Sequence, residues 1–241
     1  MDATLPGFDV AAALRGGITG RQQAWRFARD FAAAWTDRPL LPEDGVPGAE
    51  LHAAEHELGF VLPAALREGY ALFGRRADLT CGQDPLLPPG GLFVDDGVLI
   101  FRVENQGCAF WGIPLDQAER DDPPVVVDSD GRWLPFLDLM SQAWVELLLS
   151  ETLFVHDSRY DACELPPDLL AEFHGRYERV DLPDHPMWVG PDDSPLRWYA
   201  APGLLLRRDG VQDHAWVHAG GRTPADLDAV RAALPARWVV G

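Results

Sequence analysis

Lysine is absent from this chain. All 20 basic residues are arginine, set against 38 acidic ones, and the formal net charge is −18. The missing lysine reflects a GC-rich coding background and says little about mechanism. The missing positive charge says more. Self-repulsion favours a soluble chain and disfavours nucleic acid and anionic membranes as partners. It favours a basic partner, although an acidic balance is also ordinary among cytosolic proteins. Cysteine is scarce: Cys81, Cys108 and Cys163 lie far apart. No CxxC occurs, which argues against a zinc ribbon or a thioredoxin-like motif and leaves reduced thiols as the expectation. No apolar run approaches the roughly 20 residues that a membrane helix needs. The opening Met1-Asp2-Ala3-Thr4-Leu5-Pro6 lacks the basic start and apolar stretch of a secretory signal, so a cytoplasmic location is expected. Also missing are a G-x-S-x-G elbow, a P-loop and a G-x-G-x-x-G turn after a strand. Abundant carboxylates still leave a paired acid and base open. There is no internal repeat.

What is present is an ordinary globular balance, 47% hydrophobic and 24% charged over 241 residues, enough for a substantial core. Residues 1–20 are small and Gly-containing and read as a partly ordered N-terminal arm. From Arg21 to Thr36, Ala24, Phe27, Ala28, Phe31 and Trp35 recur at helical spacing. Leu51, Ala54 and Leu58 predict a short helix stopped by Gly59. Pro63 opens another, which buries Leu66, Tyr70 and Phe73. Residues 75–91 read as loop. Strands are predicted at Leu92–Val94, Val98–Val103, Cys108–Ile113, Val125–Asp128 and Arg132–Leu134. Their turns are Asp95-Asp96-Gly97, Glu104-Asn105-Gln106-Gly107 and Ser129-Asp130-Gly131. A helix from Leu137 to Leu153 carries Leu137, Met140, Trp144, Leu147 and Leu148 on one face. Beyond Phe154 a helix is expected around Leu169–Tyr177, with strands at Trp188-Val189, Arg197–Ala200, Leu204–Arg207 and Ala215–His218. A last helix is capped by Thr223 with Pro224 in its first turn. Strands bunched between helices predict an α+β fold with a mainly antiparallel sheet. The expected divisions are an arm at 1–20, a domain at 21–155, and a small α+β extension at 156–241 packed on it.

The order Glu50-Leu51-His52-Ala53-Ala54-Glu55-His56-Glu57-Leu58-Gly59, Leu62-Pro63, Phe73-Gly74, then Phe101–Gly107, Phe110-Trp111-Gly112-Ile113, Val125–Asp128, Trp133-Leu134 and a closing helix resembles the SUKH superfamily. That superfamily includes the yeast cell-wall-synthesis regulator and many bacterial immunity proteins. The resemblance is strongest over about residues 48–153 and fades after that. It implies an antiparallel α+β domain and a non-catalytic protein binder without a cofactor. It also implies an immunity protein that neutralises a cognate toxin, often a nuclease, by direct contact. An intracellular scaffold or regulator of the same superfamily is the alternative.

A basic toxin domain would favour an acidic surface. The preferred contact residues are Asp116, Glu119, Asp121 and Asp122 in an acidic loop, with Asp128 and Asp130. Glu104, Asn105 and Gln106 come second, and a purely structural role for that turn is equally open. Neutralising the loop's four carboxylates together is expected to leave stability almost unchanged. His52-Ala53-Ala54-Glu55-His56 matches the H-x-x-E-H zinc motif and would suit a metal hydrolase. Its helix is short, however, and no third ligand is evident, so no metal is expected. His214, Trp216 and His218 alternate on one strand face, with Ala215 and Val217 expected inward. Asp128-Ser129-Asp130-Gly131 starts like a calcium loop and lacks its later ligands. Trp35, Trp111 and Trp144 read as core. Among Trp133, Trp188, Trp198, Trp216 and Trp238, both packing and exposed anchor roles are open.

Overall fold

The computed structural model describes residues 8–154, 157–190, 195–210 and 215–239. It divides into a central unit, Ile18–Glu151, and a terminal unit drawn from both chain ends, Met1–Gly17 and Thr152–Gly241. The described part of the expected N-terminal arm contains helix α1 (Val10–Ala13). Asp9 caps it by accepting from the Ala11 and Ala12 amides at 2.9 and 3.2 Å, and Val10 and Leu14 are buried.

The central unit opens with α2 (Arg21–Trp35), whose Phe27, Phe31 and Trp35 stack successively at 5.4 and 5.6 Å. Such i, i+4 contacts are what helical spacing provides. Helix α3 (Gly48–Leu58) ends at Gly59, where φ of 81° needs glycine. Helix α4 (Ala64–Phe73) follows Pro63, and the short α5 (Ala77–Thr80) lies in the segment expected to be loop. The sheet comprises β1 (Phe93–Asp95), β2 (Val98–Val103), β3 (Phe110–Pro114), β4 (Val125–Ser129) and β5 (Arg132–Leu137). It is an antiparallel meander in sequence order. Asp96-Gly97 and Asp130-Gly131 are two-residue turns with both φ positive, at 44° and 74° and at 52° and 74°. That is the geometry a tight hairpin needs, and Asp-Gly supplies it.

Helix α6 (Met140–Leu153) begins later than its spacing predicts. Leu137 ends β5, paired with Val125. A buried strand end three residues before Met140 imitates a helical stripe, so periodicity alone could not place the boundary. Trp144 of α6 organises the core of this unit. Its indole donates to the Ala65 carbonyl at 3.0 Å and meets the Tyr70 and Phe73 rings edge-on at 5.7 and 5.0 Å. A Cβ at Gly69 would lie 2.1 Å from this indole, so only glycine admits the approach.

In the terminal unit, β6 (Tyr160–Leu165), α7 (Pro167–Arg176), β7 (Glu178–Arg179), β8 (Arg197–Ala201), β9 (Leu204–Asp209), β10 (Ala215–Gly221) and α8 (Pro224–Ala233) follow in order. The second antiparallel sheet runs β6-β10-β9-β8-β7. Cys163, Leu206, Val217 and Ala219 pack under Phe173 of α7 and Leu227 and Val230 of α8. Helix α1 lies against β8, and Arg15 pairs with Glu178 at 3.0 Å. Trp188-Val189 is not a strand; the local pairing is a bridge between His185 and Leu196. Strand β6 escaped sequence reading because its Asp161 is fully buried, held by Arg231 at 2.5 Å. A buried carboxylate spoils the alternation that marks a strand. Thr223 caps α8 reciprocally with Asp226. Both units are α+β with antiparallel sheets.

Candidate functional site

The β3–β4 connection carries the acidic loop. Its backbone is fastened to two helix starts: the Asp121 carbonyl accepts from the Ala65 amide at 2.8 Å, and the Pro123 carbonyl from the Met140 amide at 2.7 Å. Asp122 is part of the fastening. Its carboxylate accepts from the Ser141 amide at 2.8 Å and hydroxyl at 2.7 Å, satisfying a donor in the first turn of α6, where negative charge is favoured. Asp122 is therefore half-buried and structural, not a free loop charge. Asp116, Glu119 and Asp121 are exposed, with Asp121 3.2 Å from Arg21.

The other expected contact residues do not join them. In an antiparallel meander, alternate turns fall at the same end of the sheet. The acidic loop precedes Val125, whereas Asp128 and Asp130 lie at the far end of β4. At about 3.3 Å per residue, Asp128 lies about 10 Å and Asp130 about 16 Å along the strand from Val125. The Glu104–Gly107 turn shares that far end, since Trp111 pairs with Val127. Glu104 is buried and accepts from the Gln106 and Cys108 amides at 2.8 and 3.1 Å. It builds the turn, and only Asn105 and Gln106 are presented outward. Asp128 is half-buried; Asp130 is exposed in its tight turn.

The same topology brings in two residues that sequence reading missed. The Leu115 amide donates to the Gly97 carbonyl at 2.9 Å, so the exposed Asp95 and Asp96 of the β1–β2 turn stand beside the acidic loop. The antiparallel strand order was the available signal. Next to the loop is an open groove of about 680 Å³, lined in part by Val61, Leu62, Leu115 and Ala118, with Glu119 and Asp121 and also Arg67 and Arg120 at its charged edge. Val61 is 74% exposed. This end of the sheet thus combines an apolar trough, edged by charges of both signs, with the neighbouring exposed carboxylates Asp95, Asp96 and Asp116. The central unit holds 22 of the 38 acidic residues but only 10 of the 20 arginines, so the charge excess concentrates here.

The H-x-x-E-H residues serve the α3–α4 connection. Glu55 pairs with Arg67 at 2.7 Å and accepts from the Leu62 amide at 3.1 Å, and a His52 ring nitrogen lies 3.0 Å from the same guanidinium. A resident cation-bearing side chain between His52 and Glu55 opposes a metal there. Among the described residues no group of three or more His, Cys, Asp or Glu is placed to hold a metal ion.

Arg102 forms a charged cluster with no sequence signature. It is buried between Glu146 at 2.8 Å and Glu151 at 2.5 Å, with the Trp111 ring 4.7 Å away. Glu151 also accepts from the Gln83 amide at 2.7 Å. Burial chiefly raises the Asp84 carboxyl to about 6, with nearby Arg102 opposing and Glu151 adding to the rise. The cluster ties α6 to β2 and to the segment before it.

In the terminal unit, Ala215 and Val217 point inward as expected and Trp216 is 38% exposed, while His214 lies outside the described residues. His218 is bonded on both sides, to the Tyr160 hydroxyl at 2.8 Å and Asp209 at 3.2 Å. Burial chiefly holds its pKa below the usual imidazole value, with Asp209 opposing. Trp35, Trp111, Trp144 and Trp198 are buried. Among the described residues no helix is long and apolar enough to cross a membrane. Comparison with family models, curated proteins and solved structures finds no match to this chain.

Proposed function

We propose that this protein is a non-catalytic binding module that captures a basic protein partner at the acidic end of the central sheet. The observation that carries this reading is the convergence of Asp95, Asp96, Asp116, Glu119 and Asp121 beside a groove with an exposed Val61. An apolar trough supplies contact area, and rim carboxylates steer a cationic partner and fix its register. The SUKH resemblance supports a partner class. An immunity protein would meet a toxin domain, and a nuclease toxin presents positive charge to phosphate. The regulatory-scaffold reading draws on the second cluster, Asn105, Gln106 and Asp130 at the opposite sheet end, which could hold a further partner.

The test uses a variant with Asp95, Asp96, Asp116, Glu119 and Asp121 changed to Asn or Gln and Asp122 kept. Against a cognate basic toxin domain, association at low salt should slow by about tenfold and lose most of its dependence on ionic strength. An unchanged association rate would remove this edge as the docking surface. Absence of any binding by the wild-type chain would move the scaffold reading ahead.

A further inference from the structure

Four arginines are buried: Arg76, Arg102, Arg207 and Arg208. The first three bond carboxylates, Arg76 to Asp78, Arg102 to Glu146 and Glu151, and Arg207 to Asp209. Arg208 differs. It is 8% exposed and among the described residues it has no ion pair; its Nε, like that of Arg207, is enclosed without an acceptor. Enclosing a cation without a counter-charge is costly. The cost is conspicuous in a chain where carboxylates outnumber arginines by 38 to 20.

The surroundings add donors, and the carboxylate nearby, Asp184, is already held by two other guanidinium groups. Arg208 of β9 pairs across the sheet with Arg197 of β8 and with Val217 of β10. Val217 belongs to the helix-covered core, so Arg208 and Arg197 occupy that face. Arg197 shares Asp184 with Arg179, bonding it at 2.8 Å. From α7, the His174 ring stacks on Tyr199 with centroids 5.7 Å apart, and Tyr199 lies two residues along β8 from Arg197, on the same face. Burial chiefly lowers the His174 pKa, and Arg208 and Arg197 lower it further. The lowered pKa favours the neutral imidazole, which can donate one N–H without adding charge.

We propose that Arg208, Arg197 and His174 form a binding site for a phosphate-type oxyanion on the helix-covered face of the terminal sheet. Guanidinium forks match phosphate oxygens in geometry as well as charge. A bound dianion would supply a counter-charge to Arg208, which has no ion pair among the described residues.

The test is calorimetric titration of the intact protein with inorganic phosphate at pH 7, with thermal unfolding and NMR titration of His174 alongside. Wild type should bind, melt higher with phosphate, and show the His174 pKa rising as the anion offsets its two cationic neighbours. Arg208→Gln should bind at least tenfold more weakly and show neither response. In phosphate-free buffer it should melt no lower than wild type, because an uncompensated charge has been removed. Arg132→Gln, on the β4–β5 hairpin, should behave as wild type. O-phosphoserine binding better than free phosphate would assign the site to a phosphorylated ligand; the reverse order would assign it to the free ion. Should Arg208→Gln fail to fold, the wild-type His174 shift and a weakened Arg208→Lys decide. No phosphate response by wild type, full binding by Arg208→Gln, or an equal response to acetate each overturns the site.

Discussion

Asp122 and Asp116 share one loop and perform different tasks. Asp122→Ala removes the acceptor for the Ser141 amide and hydroxyl and should cost about 1 kcal/mol, the usual value of a lost cap. Asp116→Ala, at an exposed position, should change stability by less than about 0.5 kcal/mol. Urea unfolding of the two variants checks this contrast. It also tests the expectation that neutralising all four loop carboxylates leaves stability almost unchanged, against which the Asp122–Ser141 bonds stand. Asp84 gives a prediction with a sign. Its carboxyl is raised from 3.8 to about 6 by burial, so between those values the folded state binds more protons than the unfolded state. Its contribution to stability therefore declines as pH rises from about 4 to about 6. Asp84→Asn should lack that decline, and the difference between variant and wild type should move in the variant's favour across this window. A constant difference over the window would show that Asp84 titrates normally.

At the scale of elements, the packing of α6 on α4 depends on one missing side chain. Gly69→Ala places a Cβ 2.1 Å from the Trp144 indole. Neither helix can separate without breaking the bond from Trp144 to the Ala65 carbonyl. The substitution should destabilise by about 1–3 kcal/mol through overpacking, despite alanine's better helix propensity. Chemical denaturation followed by tryptophan fluorescence measures it; a stabilised variant would mean that propensity outweighs the clash. Elements also explain how the candidate contact residues divide. Helix faces and Asp-Gly turns were legible because they follow from residues three, four or one apart. The end of the sheet on which each turn falls follows from strand order, which joined Asp95 and Asp96 to the acidic loop and sent Asp128 and Asp130 away.

At the scale of the molecule, the terminal unit is built from both chain ends. The Gly16 amide donates to Asp181 at 2.8 Å, and Arg15 bonds Glu178 at 3.0 Å. Deleting residues 1–17 should therefore weaken protection of β8, the strand against α1, while leaving β2 and β3 of the central unit protected. Amide hydrogen exchange reads both strands in one experiment. Equal loss in both units would mean that they unfold as one cooperative body.

The sequence by itself determined the local structure: the stripes of α2 and α4, the positive-φ hairpin turns at Asp96-Gly97 and Asp130-Gly131, the Thr223 cap, and an α+β class with antiparallel pairing. Each is set by neighbours within a few residues, where backbone sterics and side-chain period act directly. Tertiary structure alone decided the partners of charge. Arg102 meets Glu151, Arg231 meets Asp161 and Arg67 occupies the H-x-x-E-H residues. In sequence each of these charges looks like an ordinary solvated residue. Only the folded chain, by bringing distant segments together and excluding water, makes a buried pair of some, a helix cap of Asp122, and of Arg208 a buried cation with no ion pair among the described residues.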